Sequence, residues 1–104
     1  MAAKGIDHYY LKRDKTNQWL LSVHVEDLML DVFTSHSGAH IYSGNYLESS
    51  SDLKADFLQE NGGICFETHH IPNSINFDVP HAPILKANEV SRSLTCYKFH
   101  RRNT

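Results

Sequence analysis

Apolar and polar residues alternate with period two along most of this chain. In QWLLSVHV, residues 18–25, Trp19, Leu21, Val23 and Val25 share one face of an extended strand, while Gln18, Ser22 and His24 share the other. LMLDVFT at 28–34 follows directly after Glu26 and Asp27, a spacing that predicts a hairpin. YYLK at 9–12 reads as a first strand closed by the polar run 13–17, and AHIYS at 39–43, ICFET at 64–68 and SLTCYKF at 93–99 complete the set. Only residues 49–59 depart from the pattern: Ser51 is placed to cap a turn of helix carrying Leu53, Phe57 and Leu58, an excursion between strands. The prediction is one all-β domain, a β-sandwich.

LMLDVFT is apolar on both faces, with Leu28, Leu30 and Val32 on one and Met29 and Phe33 on the other. Such a strand expects cover on both sides, and about 100 residues supply little of it, so the pattern predicts that part of the covering structure lies outside the chain.

Composition narrows the field without choosing a function. The 104 residues are 40% hydrophobic and 21% charged, which is ordinary for one globular domain. A formal net charge of -2 gives no basic footprint for nucleic acid, and His100-Arg101-Arg102 is too short to supply one. No run is long enough for a membrane span and the N-terminal residues lack the apolar core of a secretory signal, so a cytoplasmic protein is expected. Cys65 and Cys96 both lie in apolar strand patterns, which predicts reduced, partly buried thiols and no disulfide framework. Eight histidines hint at a polar site, because imidazole titrates near neutrality and serves in both catalysis and metal binding.

The stretch ICFETHHIPNSIN, residues 64–76, places one carboxylate at the end of an apolar run. By alternation Ile64, Phe66 and Thr68 face one way while Cys65, Glu67 and His69 face the other. Three readings fit that second face. Glu67 is a solvated strand residue; or Cys65, Glu67, His69 and His70 hold a metal, although the paired short spacings of zinc motifs are absent; or Glu67 is a general base awaiting a hydroxyl.

Five segments in order carry a resemblance. GIDHYYL at 5–11, AHIYSGNYL at 39–47, GGICFETHHIPNSIN at 62–76, PILKANEV at 83–90 and LTCYKF at 94–99 are similar to the C-terminal part of the aldose 1-epimerase (galactose mutarotase) family. The similarity runs from Gly5 to about Phe99 and corresponds to about the last third of a complete member. It implies the C-terminal part of a galactose mutarotase-like β-sandwich, a supersandwich, that binds a hexose such as galactose or glucose and interconverts its α and β anomers without a metal or other cofactor.

By position, the resemblance assigns to Glu67 the base that takes the proton from the C1 hydroxyl, to Asp7 a carboxylate that hydrogen-bonds sugar hydroxyls, and to His40 a sugar contact where relatives often carry glutamine. His69 stands where glutamine is usual and Asn73 where aspartate is common. Partial burial beside Phe66 and Cys65 is expected to raise the pKa of Glu67. The family's acid is a histidine from earlier in the fold, yet only Met1-Ala2-Ala3-Lys4 precede Gly5, and His8, next to Asp7, points to the opposite face. The 104 residues are therefore expected to be catalytically incomplete alone, with an N-terminal complementing chain or self-association as the implied partners. The alternatives are a non-catalytic carbohydrate-binding module and one half of a split enzyme.

Overall fold

The structure, a computed structural model, describes residues 5–48, 59–78 and 83–102. Most of the predicted helical excursion, including Leu53, Phe57 and Leu58, lies outside them. The described residues form strands β1 (Asp7–Leu11), β2 (Trp19–Val25), β3 (Leu28–Thr34), β4 (Gly38–Tyr42), β5 (Cys65–His69) and β6 (Thr95–Arg101), with one short 3-10 turn at Ser74–Asn76. They build two antiparallel three-stranded sheets, ordered β1-β4-β5 and β2-β3-β6, so the all-β, sandwich-like class is as expected. Every strand read from the sequence is present, with ends displaced by at most two or three residues. No helix among the described residues is long and apolar enough to cross a membrane.

Local chemistry explains the connections. Between β1 and β2 the Asp14 carboxylate accepts from the backbone N–H and hydroxyl of Thr16 and from the Asn17 amide, closing the polar turn. The β2-β3 hairpin turns at Glu26, which adopts a left-handed φ of 52°. The chain then leaves the second sheet at Thr34 and enters the first at Gly38. A Cβ at Gly38 would sit 2.1 Å from the Tyr10 carbonyl oxygen, so only glycine lets β1 approach β4 there.

Register corrects one detail of the pattern. A β-bulge lies between Trp19 and Leu21, which pair with the adjacent residues Phe33 and Val32. Trp19 is thereby moved off the face of Leu21 and Val23 and joins Ser22, to whose hydroxyl its indole N–H donates at 2.9 Å. Simple alternation had placed it on the other side.

The two sheets are joined around a small core. Val32 and Ala39 are fully buried and Leu30 nearly so. At the seam the hydroxyls of Thr34, Thr95 and Thr68 form a chain, 3.0 Å from Thr34 to Thr95 and 2.7 Å from Thr95 to Thr68. It joins β3 and β6 of one sheet to β5 of the other, and the Tyr97 hydroxyl adds a second link by donating to the Phe66 carbonyl at 2.7 Å. Exposure rises along β3 from 0% at Val32 through 9% at Leu30 to 47% at Leu28, so the first sheet covers only one end of the second. Val25 and Phe99, on the uncovered end, are likewise exposed.

The outer face of the β2-β3-β6 sheet is held by polar links. Asp31 accepts from the Ser22 hydroxyl and from His100 Nε2 at 2.8 Å, tying all three strands through one carboxylate. The Ser22 hydrogen bond, followed by that of His100, holds the Asp31 carboxyl below its ordinary value. Both thiols are free and exposed, which corrects the expectation of partial burial.

Two outcomes follow from these links. Thr95→Val removes both seam hydrogen bonds at nearly constant shape and is expected to cost about 1–2 kcal/mol, a fall in Tm of roughly 4–16 °C, while Thr95→Ser retains most of the stability. Differential scanning calorimetry of the pair measures this, and equal melting of Val and wild-type chains would show the seam to be neutral. Asp31→Asn is expected to melt below wild type near neutrality. Because the folded carboxyl titrates below its unfolded value, its contribution is full above the usual carboxylate range and disappears as pH falls through the lower, folded value. The Tm gap between wild type and variant should therefore close under acid conditions, and a pH-independent gap would assign the effect to packing.

Candidate functional site

One face of the β1-β4-β5 sheet brings together the site residues expected from the sequence. Pairing places Asp7 opposite Tyr42 and Tyr42 opposite Cys65, with Tyr9, His40 and Glu67 aligned in the next row and Leu11, Gly38 and His69 in the one after. Directly opposed residues of an antiparallel pair share a face with Cβ atoms about 5 Å apart, so Tyr9, His40 and Glu67 form one row across three strands. His8, Ile41 and Phe66 form the alternate row on the inner face. Alternation thus predicts the facing of Glu67, Asp7 and His8 correctly.

Asp7 and His40 meet. His40 Nε2 lies 2.6 Å from Asp7 Oδ1, a charge-assisted contact in which the ring N–H donates to the carboxylate. His69 stacks nearly parallel to His40, with centroids 6.4 Å apart, and packs against Tyr9 at 5.2 Å. Its Nδ1 lies 2.6 Å from the His70 carbonyl and donates to it. Tyr9 holds the end of β5: its hydroxyl donates to the His69 carbonyl at 2.7 Å and therefore accepts from the Ser37 hydroxyl at 2.9 Å. Burial pushes the Tyr9 phenol above its ordinary value, with the Ser37 hydrogen bond acting the other way.

Glu67 stands apart from this network. It is exposed and makes no hydrogen bond or ion pair to any other described residue. The burial expected from Phe66 and Cys65 is not provided, because Phe66 turns inward and Cys65 is itself exposed. A cavity of about 430 Å³ elsewhere in the chain does not include it. Cys65, Glu67 and His69 share the face, but among the described residues no three His, Cys, Asp or Glu side chains are grouped to hold a metal ion. Asn73 lies away from the row, in a left-handed conformation (φ 58°), accepting from the Asn76 amide at 2.5 Å. The chemistry available on the face is thus an unengaged carboxylate, a preformed Asp-His pair and an aromatic-imidazole stack, all accessible from one side. Tyr9 was not singled out from the sequence; its place in the row follows from the β1-β4 register, which alternation within β1 does not reveal.

Comparison with known proteins gives relatives over nearly the whole chain. It is 34% identical over 101 residues to a galactose mutarotase of Sus scrofa, a match covering 91% of this chain and 29% of that protein. It is 30% identical over 101 residues to a galactose mutarotase of Rattus norvegicus, with the same coverage. Against an aldose 1-epimerase of Escherichia coli K12 it is 30% identical over 102 residues, covering 92% of this chain and 30% of that protein. The chain thus spans less than a third of the length of these relatives. No family model and no solved structure matches it.

The Tyr9 hydroxyl offers a direct test of how the face is held. Tyr9→Phe keeps the ring against His69 but removes two hydrogen bonds, for an expected loss of about 1–2 kcal/mol. Thermal melting and amide hydrogen exchange at Thr68 and His69 check this. The expected result is a lower Tm with faster exchange at those amides; unchanged exchange would mean that ring packing alone fixes the end of β5.

Proposed function

Because this chain belongs to the aldose 1-epimerase (galactose mutarotase) family over a segment corresponding to its C-terminal part, we propose that the outer face of the β1-β4-β5 sheet is the base-bearing half of a sugar mutarotation site. The observation that supports this most is Glu67: an accessible carboxylate with both oxygens unengaged, in register with His40 and on the face of Asp7.

In this reading a hexose lies across the row. Glu67 takes the proton from the C1 hydroxyl as an acid protonates the ring oxygen, the bond between C1 and the ring oxygen breaks, and the C1 aldehyde turns its other face before the ring recloses with the proton transfers reversed. Asp7 accepts from sugar hydroxyls. Since Oδ1 already accepts from His40, Oδ2 is the oxygen left for the sugar, and His40 acts through Asp7 by fixing the carboxylate's orientation.

The acid is proposed to come from outside these 104 residues, and the chain alone to be catalytically incomplete. Two features support a complementing segment of the same protein or a partner chain. The apolar residues Val25, Leu28 and Phe99 lie on the uncovered end of the second sheet, and both sheets end in strands whose outer edges have no strand partner among the described residues. Without such a partner the same surfaces favour self-association. A carbohydrate-binding role without turnover is the second reading, favoured by the openness of the Glu67 face.

Glu67→Gln decides the central point. In a full-length protein carrying this segment, or in this chain mixed with an N-terminal complement, the variant is expected to lose about 10²- to 10⁴-fold in turnover by polarimetry while sugar affinity persists. Wild-type turnover in the variant would place the base elsewhere. Binding by both chains with turnover by neither, even on mixing, would favour the binding module.

A further inference from the structure

We infer that the cavity at the end of the β1-β4-β5 sheet is a binding site for a phosphoryl group, carried by a small phosphate monoester or as inorganic phosphate. The cavity is about 430 Å³, the size of a small-molecule site, and opens where β1 and β5 end and β4 begins. Lys12, Lys15, Arg92, His36 and His70 line it, and no Asp or Glu does so among the described residues. Serines and two aliphatic side chains make up the rest of its wall.

Two buried groups point to a missing acceptor. Ser74 is 3% exposed and lines the cavity, yet its hydroxyl has no hydrogen-bond partner. Buried hydroxyls are nearly always satisfied, and an incoming oxyanion would satisfy this one. Lys12 is also buried, and its Nζ donates to the Thr34 carbonyl alone, leaving two of the three ammonium donors unused. An unpaired buried cation is costly, and an anion in the cavity would offset that cost.

Two imidazoles extend the basic lining. His36 and His70 meet edge to face with ring centroids 5.1 Å apart. Burial first, then the neighbouring His70, His69 and Lys12, hold His36 below its ordinary pKa, as expected beside positive charge with no carboxylate to balance it. The donors outnumber the two oxygens of a carboxylate. A phosphoryl group brings three terminal oxygens and a charge of about -1.5 to -2 near neutrality. This inference does not depend on the role given to Glu67, which lies on the adjoining face outside the cavity.

The test is a titration of the 104-residue chain with inorganic phosphate and with a hexose 6-phosphate, each at ionic strength matched by sodium chloride, followed by histidine ring NMR and calorimetry. Saturable shifts of the His36 and His70 rings are expected, with the His36 pKa rising on binding because the anion favours imidazolium. The groups facing His36 are Lys12, His69 and His70, all basic, so affinity is expected to grow as pH falls toward the histidine range and to level off or decline once the phosphoryl group itself takes up a proton, at about pH 6. Arg92→Gln and Lys15→Gln alter exposed side chains and leave the fold intact; together they are expected to weaken binding about tenfold. Ser74→Ala is expected to weaken it further with backbone resonances preserved. Equal binding of the two probes would identify free phosphate as sufficient; tighter binding of the ester, with added shifts at His69 and His40, would identify an ester reaching the adjoining face. Equal ring shifts with chloride alone, or undiminished binding in the double variant, would overturn the inference.

Discussion

Three threonine hydroxyls carry the joint on which the rest of the structure depends. Thr34, Thr95 and Thr68 come from three strands and two sheets, and their chain of hydrogen bonds is where the sheets are pinned together. Thr34 is fully buried and its hydroxyl also accepts from the His36 backbone N–H, so the same atom organises the crossing from β3 to β4. An apolar contact there would hold the layers together but would not fix their offset, because hydrophobic attraction is non-directional. The hydroxyl chain supplies direction. Through Thr68 it sets the position of β5, and through β5 that of Glu67 one residue before it.

The candidate site has two parts with different degrees of preparation. Asp7, His40, His69 and Tyr9 are already bound to one another and to the backbone, so ordering them for a ligand costs little side-chain entropy. Glu67 is free, exposed and unshielded from water. A base in bulk solvent gains little from its surroundings, whereas exclusion of water strengthens every interaction it makes. In the proposed reading the ordered part serves binding, and Glu67 gains strength as a base once further structure encloses it.

Much of this was legible in the residues. The strand set, the Glu26-Asp27 hairpin and the facing of Glu67 against Phe66 follow from period two alone, because a strand's two faces are fixed by its backbone. Register is different. That Tyr9, His40 and Glu67 share a row depends on how separate strands slide past one another, and the bulge at Trp19 shows how one extra residue reverses a face without a mark in the hydrophobic pattern. Exposure of Glu67, Cys65 and Cys96 was also hidden, since alternation gives a side chain's direction and not what lies beyond it. The cationic cavity had no sequence signature at all: Lys12, His36, His70, Ser74 and Arg92 come from separated segments that converge only at the end of a sheet.

The bulge that turns Trp19 outward has an optical consequence. Trp19 is the sole tryptophan, partly exposed, and its indole N–H is linked through Ser22 to Asp31. Its fluorescence therefore belongs to the Ser22–Asp31 face of the β2-β3-β6 sheet. Emission excited selectively from that indole follows the integrity of the Ser22–Asp31 link and of the layer it ties together, in an unlabelled chain.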